Sequence, residues 1–244
     1  TPIGNEEYPF QGTLSGRFQV SENEYRDYSI LNLTLNVRNA SAVAYVANNY
    51  YGLFGYLADT AIIKNLKIYN YTINISSYQR TEAGIISEYV GVIAGLNKGR
   101  IIDCEINDGI LNKFDGSIIN SNKSHSRGIN YNMSSSSNYS ITAEIGGVVG
   151  RNVGSVENAK FRGLISFISG NNQNQYVRAG GLAGFNEGVI SGKESNFVVS
   201  NGMEEFDVVS VINPHQNKNA LTNLITIGGV AGISTNKIVN ENVR

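Results

Sequence analysis

Few residues in this chain are of types that do chemistry. Two histidines, His125 and His215, and one cysteine, Cys104, are spread over 244 residues. A zinc peptidase needs His-Glu-x-x-His, in which two imidazoles one helical turn apart hold the metal while the Glu activates water. The sequence has no such segment. His125 lies in a Ser-rich stretch and His215 beside Pro214, which are contexts of solvated loops. Gly192-Lys193 lacks the glycine spacing of a phosphate loop, and Glu194 stands where Ser or Thr would hold magnesium. Asp103, Glu105, Glu157 and Glu187 are candidates for the carboxylates of a glycoside-cleaving site. Two of them fall at different places in the repeat described below, so the four would not align on one stripe. None has a basic residue at matching phase, so no catalytic site is expected of them. Glu204-Glu205-Phe206-Asp207 lacks the oxygen-ligand spacing of a calcium loop and reads as a solvated acidic turn. Cys104 sits between Asp103 and Glu105, which disfavour a thiolate, so inert core packing is expected. No catalytic residue, cofactor or metal site is expected.

The elements that carry these residues must be strands. Asn occurs 33 times and Gly 27 times, and charged residues make up 16%. Asn and Gly suit turns and φ > 0, and the abundant Ile and Val suit a pleated strand, so an all-α fold is excluded. With 19 basic and 20 acidic residues the net charge is -1, and no Lys/Arg run provides a field for nucleic acid. No apolar stretch approaches 18 residues, so no membrane insertion is expected. There is neither an initiating Met nor a charged-then-apolar leader, which predicts a mature or excised soluble piece. A lone cysteine forbids an internal disulfide.

One template recurs. Gly91-Val92-Ile93-Ala94-Gly95-Leu96-Asn97-Lys98-Gly99 is matched by 146–154 and 180–188, more loosely by 228–236, and in divergent form by Tyr51-Gly52-Leu53-Phe54-Gly55-Tyr56. The marker glycine advances from 55 to 95, 150, 184 and 232, steps of 40, 55, 34 and 48 residues. Each copy continues into a short apolar segment ending in a small polar residue, as in Ile63-Lys64-Asn65 and Ile101-Ile102-Asp103. Such a strand, glycine turn and second strand cannot bury its apolar side alone, so the copies are expected to stack as coils of a parallel β-solenoid. Stacking predicts structural turns at Gly95, Gly150, Gly184 and Gly232. It predicts φ > 0 corners at Gly99, Gly154 and Gly188, with Asn236 as the tolerated substitute. It also predicts a ladder of amides through Asn97, Asn152 and Asn186, ended by Ser234.

These motifs resemble the GLUG repeat of bacterial-type surface and secreted proteins, a Gly-Gly-apolar-small-Gly-x-Asn-x-Gly-x-apolar stretch followed by Asn and often Cys. Gly91 to Cys104 is the best copy, with Cys104 at the family's cysteine position. Pro9 to Gly16, Ile30 to Leu33 and Gly52 to Leu66 are similar to the segment that precedes such repeats. The resemblance implies an all-β, right-handed parallel β-solenoid with loop insertions, on a cell surface or secreted. Such repeats occur in adhesins and beside the catalytic domain of immunoglobulin A-cleaving metallopeptidases.

One continuous domain is expected: opening coil or coils over 1–50, the first repeats over 51–111, a low-complexity insertion over 112–140 and later repeats over 141–244. Tyr45, Tyr50, Tyr51, Tyr56, Tyr69, Tyr71, Tyr78 and Tyr89 are concentrated in one region and form a candidate contact surface, the alternative being that they cap coil faces. Sequons at Asn32, Asn39, Asn70, Asn74, Asn122, Asn132 and Asn138 are candidate N-glycosylation sites, barely more numerous than composition alone produces. Function is expected to be non-catalytic: a structural or adhesive module at the cell surface or outside the cell, part of a larger protein or assembly. Its partners would be other protein of that assembly, a host or matrix ligand, or glycans. The alternatives are an accessory region of a secreted metallopeptidase and a carbohydrate-active β-helix.

Overall fold

The computed structural model describes residues 1–38, 46–76, 84–107, 110–111, 118–119, 128–132, 139–168, 175–192, 198–200, 209–212 and 224–240. Among them the chain is all-β, with no helix. Five parallel sheets carry the fold. Sheet I contains Thr13–Ser15, Ile62–Lys64, Arg100–Ile102, Ser155–Glu157, Val189–Gly192 and Ile238–Asn240. Sheet II contains Ser29–Leu31, Lys67–Tyr69, Glu105–Asn107, Lys160–Arg162 and Val198–Ser200. Sheet III contains Thr34–Arg38, Thr72–Ser76, Gly128–Asn132, Ile165–Ile168 and Val209–Ile212. Sheet IV contains Val46–Tyr51, Gly84–Gly91, Tyr139–Gly146, Gln175–Gly180 and Leu224–Gly228. Sheet V contains Phe54–Leu57, Ala94–Asn97, Val149–Asn152, Ala183–Asn186 and Ala231–Ser234. The chain visits I to V in that order and returns to I. Each circuit, called a coil below, thus pairs with the circuits before and after it.

Register places like on like. Ile63, Ile101, Val156 and Ile190 align in sheet I, and Ile68, Ile106 and Phe161 in sheet II. All seven are fully buried, each contributing about 1.5–3 kcal/mol relative to exposure. The turn from sheet I to sheet II is made by Asn65, Asp103 and Asn158 with φ of 51–52°, and Asn32 and Asn70 turn from sheet II to III at 61° and 53°. Asn and Asp tolerate this left-handed conformation because their short polar side chains bond locally.

The motif glycines serve a different purpose from the one predicted. Gly99, Gly154 and Gly188 do not have positive φ, and neither does Asn236. A Cβ at Gly99, Gly154 or Gly188 would instead fall less than 3.0 Å from the backbone of the preceding coil: Ala61 O, Gly99 O and Gly154 O respectively. The same holds at Gly95, Gly150, Gly184 and Gly232, where the obstacle is the backbone N of Tyr51, Val90, Ile145 and Ala179, one aligned column of sheet IV. Glycine is required for close approach of coil to coil, not for a left-handed turn.

Two segments depart from the expected layout. Arg17–Ser21 and Glu24–Asp27 form an antiparallel hairpin between the first strands of sheets I and II, within the stretch 1–50 expected to be opening coil. The stretch 112–140 holds Gly128–Asn132, which continues sheet III in register with Thr72–Ser76, and a short hairpin pairs Ile110–Leu111 with Ile118–Ile119. Gly128 takes φ 91° at the start of that strand. Composition hid a coil strand inside the apparent insertion.

Candidate functional site

An open polar cleft of about 290 Å³ lies where the hairpin stands beside the corner between sheets I and II. The local sequence dictates this placement. Ser15 ends its strand by bonding both the N–H and the C=O of Arg17, and Gly16 passes so close to Asn65 O that no Cβ fits. The chain returns through Tyr28, whose N–H donates to Gly16 O at 2.7 Å, and runs into Ser29 of sheet II. Arg17 and Asp27 face each other at the hairpin base, with Nε to Oδ1 at 2.7 Å and Nη2 to Oδ2 at 3.2 Å. Lys67 of sheet II reaches up to Asp27 Oδ2 at 2.9 Å. The hydrogen bond from Arg17, followed by that from Lys67, holds the Asp27 carboxyl well below the usual carboxylate range.

The floor is made by two columns of the repeat. In sheet II, Lys67, Glu105 and Lys160 are aligned, and at the corner Asn158 donates to Asp103 Oδ1 at 2.9 Å. The expectation that the acids have no basic counterpart at matching phase is therefore corrected, since two-residue alternation puts Glu105 on the same face as its lysine neighbours. Glu157 likewise pairs with Arg100, 3.3 Å away. Tyr69 donates to Glu105 Oε1 at 3.4 Å, and burial, then Glu105, pushes its hydroxyl up to about 12. Beneath the cleft Cys104 is buried among apolar side chains, its Sγ 3.3 Å from Ile102 O. Burial, and then Asp103, pushes the thiol up to about 12, which disfavours the thiolate.

A second polar cluster runs where sheets IV and V meet. Glu144, with a 2% exposed side chain, receives Arg178 Nη1 at 2.8 Å and lies 3.1 Å from Arg151 Nε, which also approaches Glu187 at 3.4 Å. Both guanidinium groups lie over the Phe185 ring, at 4.8 and 4.5 Å. Burial raises the Glu144 carboxyl above its ordinary value against the pull of both arginines. Glu144 Oε2 and Arg151 Nε face each other as an ion pair without making a hydrogen bond, so the cluster links neighbouring coils mainly through charge and through the Arg178 bond.

Asn97 Nδ2 donates to Asn152 Oδ1 at 2.8 Å, Asn152 Nδ2 to Asn186 Oδ1 at 2.7 Å, and Asn186 Nδ2 to Ser234 Oγ at 2.9 Å. All three amides are buried. Among the described residues the candidate contact tyrosines are mostly buried, which favours the alternative that they cap coil faces. Tyr51, Tyr56, Tyr69, Tyr71 and Tyr89 are buried: Tyr51 and Tyr71 belong to the core itself, whereas Tyr69 is covered beside Glu105 and Tyr89 beneath Tyr50 and the Arg151 guanidinium. Tyr50 is half-buried, stacked on Tyr89 at 5.0 Å and edge-on to Tyr56 at 5.3 Å. Of the sequons, Asn70 and Asn74 spend their Nδ2 on Asn32 and Asn36, so a glycan there would break a bond between coils. Tyr45, Tyr78, Asn39, Asn122, Asn138, His125, His215 and the acidic segment 204–207 lie outside the described residues, as does the side chain of Asn132. Among the described residues no group of three or more His, Cys, Asp or Glu could hold a metal ion, and no helix is long and apolar enough to cross a membrane.

No protein-family model, no curated protein and no solved structure matches the chain.

Proposed function

We propose that the chain is a right-handed parallel β-solenoid of GLUG-like repeats, serving as a non-catalytic structural or adhesive module of a larger cell-surface or extracellular protein or assembly. The observation that carries this reading is the use made of the repeated residues. Asn97, Asn152 and Asn186 bond one another, and Gly95, Gly150 and Gly184 admit the neighbouring backbone, so each recurs for coil stacking. A stack built this way has nearest-neighbour stability and presents loops and inserted hairpins from a rigid body, which suits display.

Two measurements test it. Antibody labelling of intact and permeabilised source cells should give equal signal, and signal only after permeabilisation would overturn the surface assignment. A hydrolysis screen of the purified chain against polysaccharides should show no turnover, and turnover of any of them would overturn the non-catalytic assignment.

A further inference from the structure

We propose that the cleft between the hairpin and the sheet I/II corner binds a neutral, hydroxyl-rich saccharide. This rests on the surface-module reading and adds the ligand class and its place. Three cations, Arg17, Lys67 and Lys160, and three anions, Asp27, Asp103 and Glu105, line the cleft. Asp27 is spent on Arg17 and Lys67, an arrangement that fixes the hairpin as a preformed wall. What remains is one ammonium, Lys160, with no ion pair among the described residues, two carboxylates with spare acceptor positions, and the Asn65 amide. An anion would meet Asp103 and Glu105, and a cation would meet Lys160. A sugar hydroxyl both donates and accepts, so it satisfies all of these groups without net charge.

Spacing and aromatic exposure point the same way. Glu105 and Lys160 are register partners, about 4.8 Å apart along the stack, close to the advance of one pyranose unit in an extended glycan. Tyr25 is 57% exposed and stands two residues from Asp27 on the same strand, which puts it on the hairpin face that carries Asp27. A tyrosine ring offers an apolar face with a polar tip, suited to the C–H face of a sugar. Glu105 and Asp103 are thus acceptors and Lys160 and Asn65 donors within the cleft, and Tyr25, which stands on the hairpin outside the lining, is the stacking platform at its edge.

Calorimetric titration with cellohexaose, maltohexaose and chitohexaose, and with galacturonate and glucosamine hexamers as charged controls, tests the assignment. At least one neutral hexamer should bind saturably, and Lys160→Ala and Tyr25→Ala should each weaken it at least tenfold without moving the melting temperature. No binding by any neutral hexamer, tighter binding of a charged one, or binding that neither variant weakens would overturn it. Those results would leave the intact-cell labelling unchanged, so failure of the ligand assignment is distinguishable from failure of the surface assignment.

Discussion

Asn97 Nδ2 donates to Asn152 Oδ1 across 2.8 Å although 55 residues separate the two in sequence, and the next bond of the ladder spans 34. The repeat therefore stays in register across spacers of unequal length. Asn152 is bonded on both sides, whereas Asn97 has Leu57 beneath it in the ladder position and a buried, unpartnered Oδ1. Asn152→Leu should cost about 2–5 kcal/mol, since it orphans a donor and an acceptor, and Asn97→Leu distinctly less, since it also removes an orphan. Urea denaturation checks this, and equal losses would contradict it.

Close approach makes some glycines far more sensitive than others. A Cβ at Gly147 would meet Gly181 O and the Phe161 ring, while one at Gly229, the matching position of the last coil, would meet nothing within 4 Å. Gly147→Ala should lower the melting temperature by roughly 5 °C or more, on the order of 2 kcal/mol in a chain of this size, and Gly229→Ala by less than about 2 °C. Calorimetry on the two variants decides.

The repeat and its ladder were legible because a stack forces the same residue type at the same phase, and Asn97, Asn152 and Asn186 display that directly. The cause of the glycines was not legible. Local sequence cannot distinguish a residue that needs φ > 0 from one such as Gly154 that faces a carbonyl 55 positions earlier. The cleft was hidden for a similar reason. Arg17, Lys67 and Lys160 are far apart in sequence and meet only through register and a hairpin inserted between two coil strands. Tyr71 misled by type, since a buried tyrosine and a surface one look alike before inward and outward phases are known.

Acid should release the hairpin. The pKa of Asp27 is lower in the folded chain than in the unfolded one, so its contribution is present above the unfolded value of about 3.9 and is lost as pH falls through the folded one. The Asp27 carboxyl resonance should therefore show its acid step well below about pH 4. In Asp27→Asn, which lacks the ion pairs at every pH, that acid step should be absent. An unchanged step in the variant would assign it to another group.

Cys104 should be silent toward thiol reagents. With its thiol pushed up to about 12 and the side chain buried, iodoacetamide at pH 8 should label it only in denaturant. Rapid native-state labelling would show that the coil around it opens.

The central claim, that the repeats stack coil upon coil, is tested most directly by one distance. Lys64 and Val239 are both exposed and lie in the same column of sheet I, linked through Ile102, Glu157 and Ser191. Four coil steps of about 4.8 Å put their backbones roughly 19 Å apart, although 175 residues separate them in sequence. Spin labels at these two positions in a Cys104→Ala background should give a narrow electron–electron distance distribution within about 10 Å of that value, the label arms adding the spread. A broad distribution, or one centred beyond about twice that distance, would contradict the stack.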